Sequence, residues 1–253
     1  DVEVVAINDL TETAILAHLL EHDTAYGHYR KTVSVNGNML VIDGKEFPVY
    51  AEPDPKKLPW GELGVDVVLE CTGRFTDKAG AGQHIEAGAK KVILSAPAKG
   101  DDDAVPTFLM GVNEETYADE TVLSNASCTT NSLAPIAKII HEKFGIAKAL
   151  MTTIHSYTAD QNLQDGPHKD LRRARAAGQN IVPTTTGAAI AVTEVIPELK
   201  GLFDGHSMRV PTIVVSLTDF TFVLKQKTTV EEINTVLKEA TKEARFHQVL
   251  AVT

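Results

Sequence analysis

Two cysteines in 253 residues are too few for a disulfide scaffold, and no C-x-x-C pair is present, which excludes a cysteine-type structural zinc site. No metal centre is expected, and a reducing compartment fits best. No stretch approaches the roughly 18 consecutive apolar residues that a membrane-spanning helix requires. The apolar runs are strand-length, so a membrane protein is not expected. Basic residues are outnumbered, with 24 Lys and Arg against 34 Asp and Glu, and the formal net charge of −10 repels a phosphate backbone. Nucleic-acid binding would need a local basic patch. The only candidate, LRRARAA at 171–177, reads more simply as a solvated or small-anion-binding cluster. Repeats and low-complexity segments are also missing, and Asp101–Asp103 reads as a solvated loop.

What is present is an alternation of strands and helices in a chain that is 43% hydrophobic, enough for a sizeable core and two domains. VEVVAIND reads as a strand. TETAILAHLLEHD follows as a helix with Ile15, Leu16, Leu19 and Leu20 at one-face spacing and Thr11 as the N-cap. Asn36-Gly37 and Asp43-Gly44 mark hairpin turns in an inserted antiparallel meander. VDVVLECTG, a helix over 78–89, KKVILSAP and TVLSNAS then restore the rhythm of a mostly parallel sheet.

In such sheets ligands lie beyond the carboxyl ends of the strands. Those ends are Asn8-Asp9, Thr72-Gly73, Ser95-Ala96 and Ser127-Cys128. Asp9 can accept hydrogen bonds from ribose hydroxyls, although an acid ahead of a helix is more often a cap or a solvated turn. The Gly-rich loop that normally precedes such an acid is not in the sequence, which starts at Asp1 without Met, so an upstream segment is expected.

Cys128 sits in polar SNASCTTN, at the junction of a strand and the helix TTNSLAPIAKIIHEKF, where unpaired N–H groups and the helix dipole favour an anion. A packed core thiol suits Cys71, in apolar VVLEC, better than Cys128. A thiolate nucleophile needs a base. His155 ends the apolar strand that follows the helix, 27 positions after Cys128, a length that returns the chain to the same end of the sheet. A lone strand-end histidine is usually structural, so the pair by itself leaves both readings open.

SNASCTTN, TTIHSYTADQ, HKDLRRARAAGQNIVPTTTGAA and PELKGLFDGHSMRVPT, preceded by AINDLTE, VSVNGN, WGELGVDVVLECTGRF and GAKKVILSAPAKG, resemble the phosphorylating glyceraldehyde-3-phosphate dehydrogenases over the whole chain. The resemblance implies an α/β chain: a Rossmann-like, mostly parallel NAD-binding domain over 1–127, then an α+β catalytic domain over 128–253. It implies NAD-dependent oxidative phosphorylation of glyceraldehyde 3-phosphate in glycolysis, in a cytoplasmic homotetramer. Cys128 would attack the aldehyde, and His155 would take the hydroxyl proton as hydride leaves. Inorganic phosphate would then release the acyl phosphate from the thioester. Thr158, Arg175 and Arg209 would bind the substrate phosphate, and Ser127, Thr129, Thr186 and Gly187 the inorganic phosphate.

Thr186 also reads as an N-cap of the helix that follows. Arg172 and Arg173 are left as surface or subunit-contact residues. Asp9 would hold the adenosine ribose, favouring NAD over NADP, with Thr72 and Gly73 at the adenosine end and Ser95 near the nicotinamide. The loop over 163–169 does not settle that preference.

Ser132 stands where many members carry a second cysteine, and TIVVSLTDFTFVLKQK departs from the family pattern while keeping strand alternation. By the same resemblance, the Gly-rich first unit and the downstream part of the family are missing, so an internal fragment, inactive alone, is expected. The alternatives are erythrose 4-phosphate dehydrogenase activity or a non-catalytic binding role.

Overall fold

The computed structural model describes residues 2–100 and 105–253; the loop expected at Asp101–Asp103 lies outside them. The chain forms two compact units, 1–93 and 94–253.

In the first unit, β1 (Ile7–Asn8) leads to α1 (Thr13–Glu21), a short hairpin of β2 (His22–Asp23) and β3 (Gly27–His28), and then β4 (Val33–Asn36), β5 (Met39–Ile42) and β6 (Lys45–Tyr50). The last three are an antiparallel meander, as expected. Asp43 and Gly44 link β5 to β6 with φ of 50° and 79°, the paired positive values that a tight hairpin turn demands. The meander is not a detached insertion, because β6 runs parallel to β1, giving the order β1-β6-β5-β4.

Only part of the apolar face expected on α1 is buried. Leu16, Ala17 and Leu20 pack with Leu40 and Val49, while Ile15 and Leu19 are exposed. The N-cap is Glu12 rather than Thr11, whose N–H donates to Asp9 Oδ1 at 2.8 Å.

β7 (Val67–Glu70) then precedes α2 (Lys78–Glu86) and β8 (Lys91–Leu94), which ends at the division between units. Asp77 caps α2 by accepting the Gly80 N–H at 2.7 Å. The helix stops short of the expected residue 89 because Gly88 has φ 103°, and a Cβ there would lie 2.5 Å from the Gly61 Cα. Along β7 the alternation buries Val68 and Glu70 and exposes Val67 and Leu69. Cys71 is exposed as well. The expected core cysteine is therefore a surface one, placed by strand phase rather than by the polarity of its neighbours.

The second unit contains β9 (Val122–Ser124), α3 (Cys128–Phe144), β10 (Ile146–Ser156), β11 (Val182–Thr184), α4 (Ala188–Val195), β12 (Phe203–Val210), β13 (Ser216–Leu224) and α5 (Val230–Ala240). Its sheet has the order β11-β12-β10-β13; β10 is parallel to β12 and antiparallel to β13. Leu133, Ala134, Ala137 and Ile140 of α3 share one core with Met151 of β10 and Val192 of α4. Each large aliphatic side chain buried this way contributes roughly 1.5–3 kcal/mol.

A Cβ on Gly205 would meet Met151 Cγ at 2.6 Å, so glycine lets β12 lie against β10. β13 alternates half-buried and exposed residues, as its sequence suggests. None of the described helices is long and apolar enough to cross a membrane.

Candidate active site

The thiol is placed by a tight strand-to-helix turn. Between β9 and α3, Ala126 is buried at φ 56°, a left-handed conformation that costs a side chain about 1–2 kcal/mol. Hydrogen bonds offset that strain: Ala126 N–H to Ser124 Oγ at 3.0 Å, Asn125 N–H to the Leu94 carbonyl at 3.0 Å, and Asn131 Nδ2 to the carbonyls of Asn125 and Ser127 at 2.8 and 3.1 Å. Ser127 caps α3 by accepting the Thr130 N–H at 3.0 Å, which puts Cys128 at the first helical position, exposed at the positive end of the dipole. Thr129 follows it and is buried.

Cys128 Sγ lies 3.4 Å from His155 Nε2. His155 is the penultimate residue of β10, and its Nδ1 lies 2.7 Å from the Ser156 carbonyl oxygen. A carbonyl only accepts, so Nδ1 carries the proton and Nε2 presents a lone pair to the thiol. Arg209 is opposite His155 in register on β12, and its Nη1 donates to the same carbonyl at 3.1 Å. The 3.3 Å separation of Arg209 Nη1 from His155 Nδ1 is therefore two donors converging on one acceptor, not a bond between them.

Arg209 Nε is buried and has no partner among the described residues. Burial, followed by the Arg173 charge, lowers the Arg209 guanidinium below the ordinary arginine value; Cys128 and Asp160 partly counter this. The side chain remains a cation, as arginine does in proteins.

The arginines of LRRARAA do not divide as expected. Arg173, assigned to the surface, is mostly buried: its Nε donates to Thr184 Oγ1 at 2.8 Å and its Nη1 to Asp160 Oδ2 at 2.6 Å. Arg175, assigned to the substrate phosphate, is exposed and pairs with Asp165 at 3.0 Å. Arg172 pairs with Asp170 at the surface, and hydrogen bonds from Arg172 hold the Asp170 carboxyl down at about 2.

Thr158 is half-buried in the turn after β10, where its carbonyl accepts the Gln161 N–H at 2.9 Å. Gly187, exposed, is the N-cap of α4, and Thr186 sits one position earlier and accepts the Ala188 N–H at 3.2 Å. The expected cap is thus displaced by one residue. Sequence reading missed Arg173, Asp160 and Thr184. A helical or strand period gives no signal for them, because they lie on different loops and a strand end that only folding brings together.

The first unit carries the other strand ends. Asp9 follows β1; one carboxylate oxygen accepts the Thr11 N–H, and the other takes no hydrogen bond among the described residues. Gly73 has φ 70° with open space where a Cβ would stand. An acceptor and an open glycine at strand ends fit the ribose and adenosine portion of a dinucleotide. Thr72 is held by a buried network: its N–H donates to Glu70 Oε1 at 2.7 Å, and its hydroxyl bonds the same oxygen. Glu70 Oε2 lies 3.0 Å from His84 Nε2, and Trp60 Nε1 lies 3.0 Å from His84 Nδ1. An indole N–H only donates, so His84 is neutral and donates through Nε2 to Glu70. In the second unit, Ser95 is exposed just after β8.

Residues 1–78 match the family model for the NAD binding domain of glyceraldehyde 3-phosphate dehydrogenase, and residues 127–253 match the model for its C-terminal domain. The glyceraldehyde-3-phosphate dehydrogenase of Geobacillus stearothermophilus is 59% identical over 242 residues, covering 95% of this chain and 71% of that protein. That of Clostridium pasteurianum is 56% identical over 245 residues, 96% of this chain and 72% of that protein. That of Streptomyces coelicolor is 52% identical over 255 residues, 100% of this chain and 75% of that protein.

Proposed function

The chain belongs to the glyceraldehyde-3-phosphate dehydrogenase family, and from that premise we propose a role for each residue of the site. The reaction is the glycolytic, NAD-dependent oxidative phosphorylation of glyceraldehyde 3-phosphate to 1,3-bisphosphoglycerate. The relatives named above all carry the glyceraldehyde 3-phosphate name, which disfavours erythrose 4-phosphate as the substrate.

Cys128, deprotonated by His155 Nε2, attacks the aldehyde carbon, and the carbonyl electron pair moves to oxygen. The imidazolium returns a proton to that oxygen through Nε2, closing a thiohemiacetal. His155 Nε2 then takes the hydroxyl proton as the carbon loses hydride and the thioester forms. NAD, when bound, supplies the hydride acceptor, with Asp9, Thr72 and Gly73 holding its adenosine half and Ser95 approaching its nicotinamide. A phosphate oxygen attacks the thioester, the acyl phosphate departs and the Cys128 thiolate is restored.

Arg209 binds the substrate phosphate, together with Thr158. Ser127, Thr129, Thr186 and Gly187 surround the attacking phosphate. Arg173 takes the part first given to Arg175, because it is the arginine whose charge reaches Arg209. Two mutually repelling cations are stabilised by an anion between them. The functional boundary falls between Ser127 and Cys128, with the cofactor residues before it and, apart from the phosphate-binding Ser127, the reacting residues after it; the family match beginning at residue 127 lies within one residue of it. The enzyme works as a homotetramer in the cytoplasm.

The observation that carries this reading is the 3.4 Å approach of Cys128 Sγ to His155 Nε2. It is tested by mixing enzyme, NAD and glyceraldehyde 3-phosphate without phosphate and locating the acyl group by mass spectrometry. It should be on Cys128; acylation elsewhere, or turnover by Cys128→Ser, would overturn the assignment.

A further inference from the structure

We propose that Glu21, His22 and His28 form a binding site for a divalent transition-metal ion of the zinc type. One ligand atom from each lies within 4.8 Å of the others. The arrangement comes from the backbone, because His22 and His28 are directly paired across β2 and β3, and Glu21 is the last residue of α1. Their imidazole centroids are 5.3 Å apart, and Glu21 Oε2 is 3.7 Å from His22 Nε2.

Local bonds hold this geometry. The His22 N–H donates to the His18 carbonyl, the Tyr29 N–H donates to the Glu21 carbonyl at 2.9 Å, and Asp23 Oδ1 accepts the N–H groups of Ala25 and Tyr26 at 2.8 and 2.7 Å. Asp23 thus shapes the turn, leaving two imidazoles and one carboxylate as the donor set. That set suits zinc and its first-row neighbours and is poor for magnesium or calcium, which require mainly oxygen. Three protein ligands leave a fourth position for water, and His18, whose ring centroid is 4.8 Å from that of His22, flanks the site. His22 and His28 are exposed, so an ion can enter, and once bound it would fasten the end of α1 to the hairpin. The site is independent of the dehydrogenase reaction.

Zinc titration by calorimetry should be done on protein carrying Cys71→Ser and Cys128→Ser, which removes both exposed thiols. One zinc per chain is expected, with at least about tenfold weaker binding in both His22→Gln and His28→Asn and no change in His247→Asn, an exposed histidine elsewhere. In the unsubstituted protein, zinc should shield His22 and His28 from diethyl pyrocarbonate, a readout that does not depend on any variant folding. Absence of binding, binding indifferent to His22 and His28, equal loss in the His247 variant, or no shielding would each overturn the site.

Discussion

His155 and Arg209 stand opposite each other in parallel register, and both direct an N–H at the carbonyl of Ser156. That shared acceptor fixes the imidazole tautomer and holds the Arg209 cation beside the His155 ring. His155→Asn keeps a polar side chain there but provides no base. The rate of hydride transfer should fall by about 10²–10⁴ while NAD affinity is retained, as read by single-turnover absorbance and calorimetry. A loss of NAD binding matching the loss of rate would contradict the role of base.

Arg209→Leu should cut kcat/KM for glyceraldehyde 3-phosphate by about 10- to 100-fold, the worth of one charge-assisted hydrogen bond. Unphosphorylated glyceraldehyde should be nearly unaffected. Equal damage to both substrates would show that Arg209 does not read the phosphate.

Arg173 and Arg175 separate in the same way. Arg175→Leu breaks only an exposed ion pair, worth at most about 1 kcal/mol, and should leave the KM for glyceraldehyde 3-phosphate unchanged. Arg173→Leu should raise it. Arg173→Lys tests this independently of stability: it keeps the charge but loses the fork that reaches Thr184 and Asp160, so a normal KM in that variant would indicate that charge alone suffices.

Cys71 is exposed, as Cys128 is, so burial does not protect it. Iodoacetamide at neutral pH should still modify Cys128 first, because only Cys128 has an imidazole and a helix N-terminus beside it. His155→Asn should narrow the difference, and equal rates at the two thiols of the unsubstituted protein would refute the activation argument.

The buried Glu70–His84–Trp60 network gives a pH signature. Burial raises the Glu70 carboxyl, but hydrogen bonds from His84 and Thr72 outweigh it and leave the group below its ordinary value. A carboxyl depressed in the folded state binds its proton more readily when unfolded. Its stabilisation is therefore present above the ordinary glutamate value of about 4.3 and is lost as pH falls through the lower folded-state value. Glu70→Gln should flatten the acid limb of a urea-denaturation series. His84→Ala, which strands both the carboxylate and the Trp60 N–H, should cost on the order of 3 kcal/mol at neutral pH.

Several features follow from sequence alone because they depend on local chemistry. Asp43-Gly44 turns because two successive residues can adopt positive φ, and Ser127 begins α3 because its hydroxyl reaches an N–H three residues on. The helix and strand between Cys128 and His155 run in opposite directions, which brings the start of α3 to the carboxyl end of β10, although β9 is not a strand of the sheet that holds β10. Strand phase is less local. Cys71 shares an apolar run with buried Val68 and yet faces out, and Ile15 and Leu19 sit on the exposed side of a helix whose Leu16 and Leu20 are packed. Only tertiary structure gives Arg173 and Arg175 different surroundings. Two like side chains two residues apart in one loop have the same local chemistry, and what separates them is that Asp160 and Thr184, distant in sequence, fold against one of them and leave the other to Asp165.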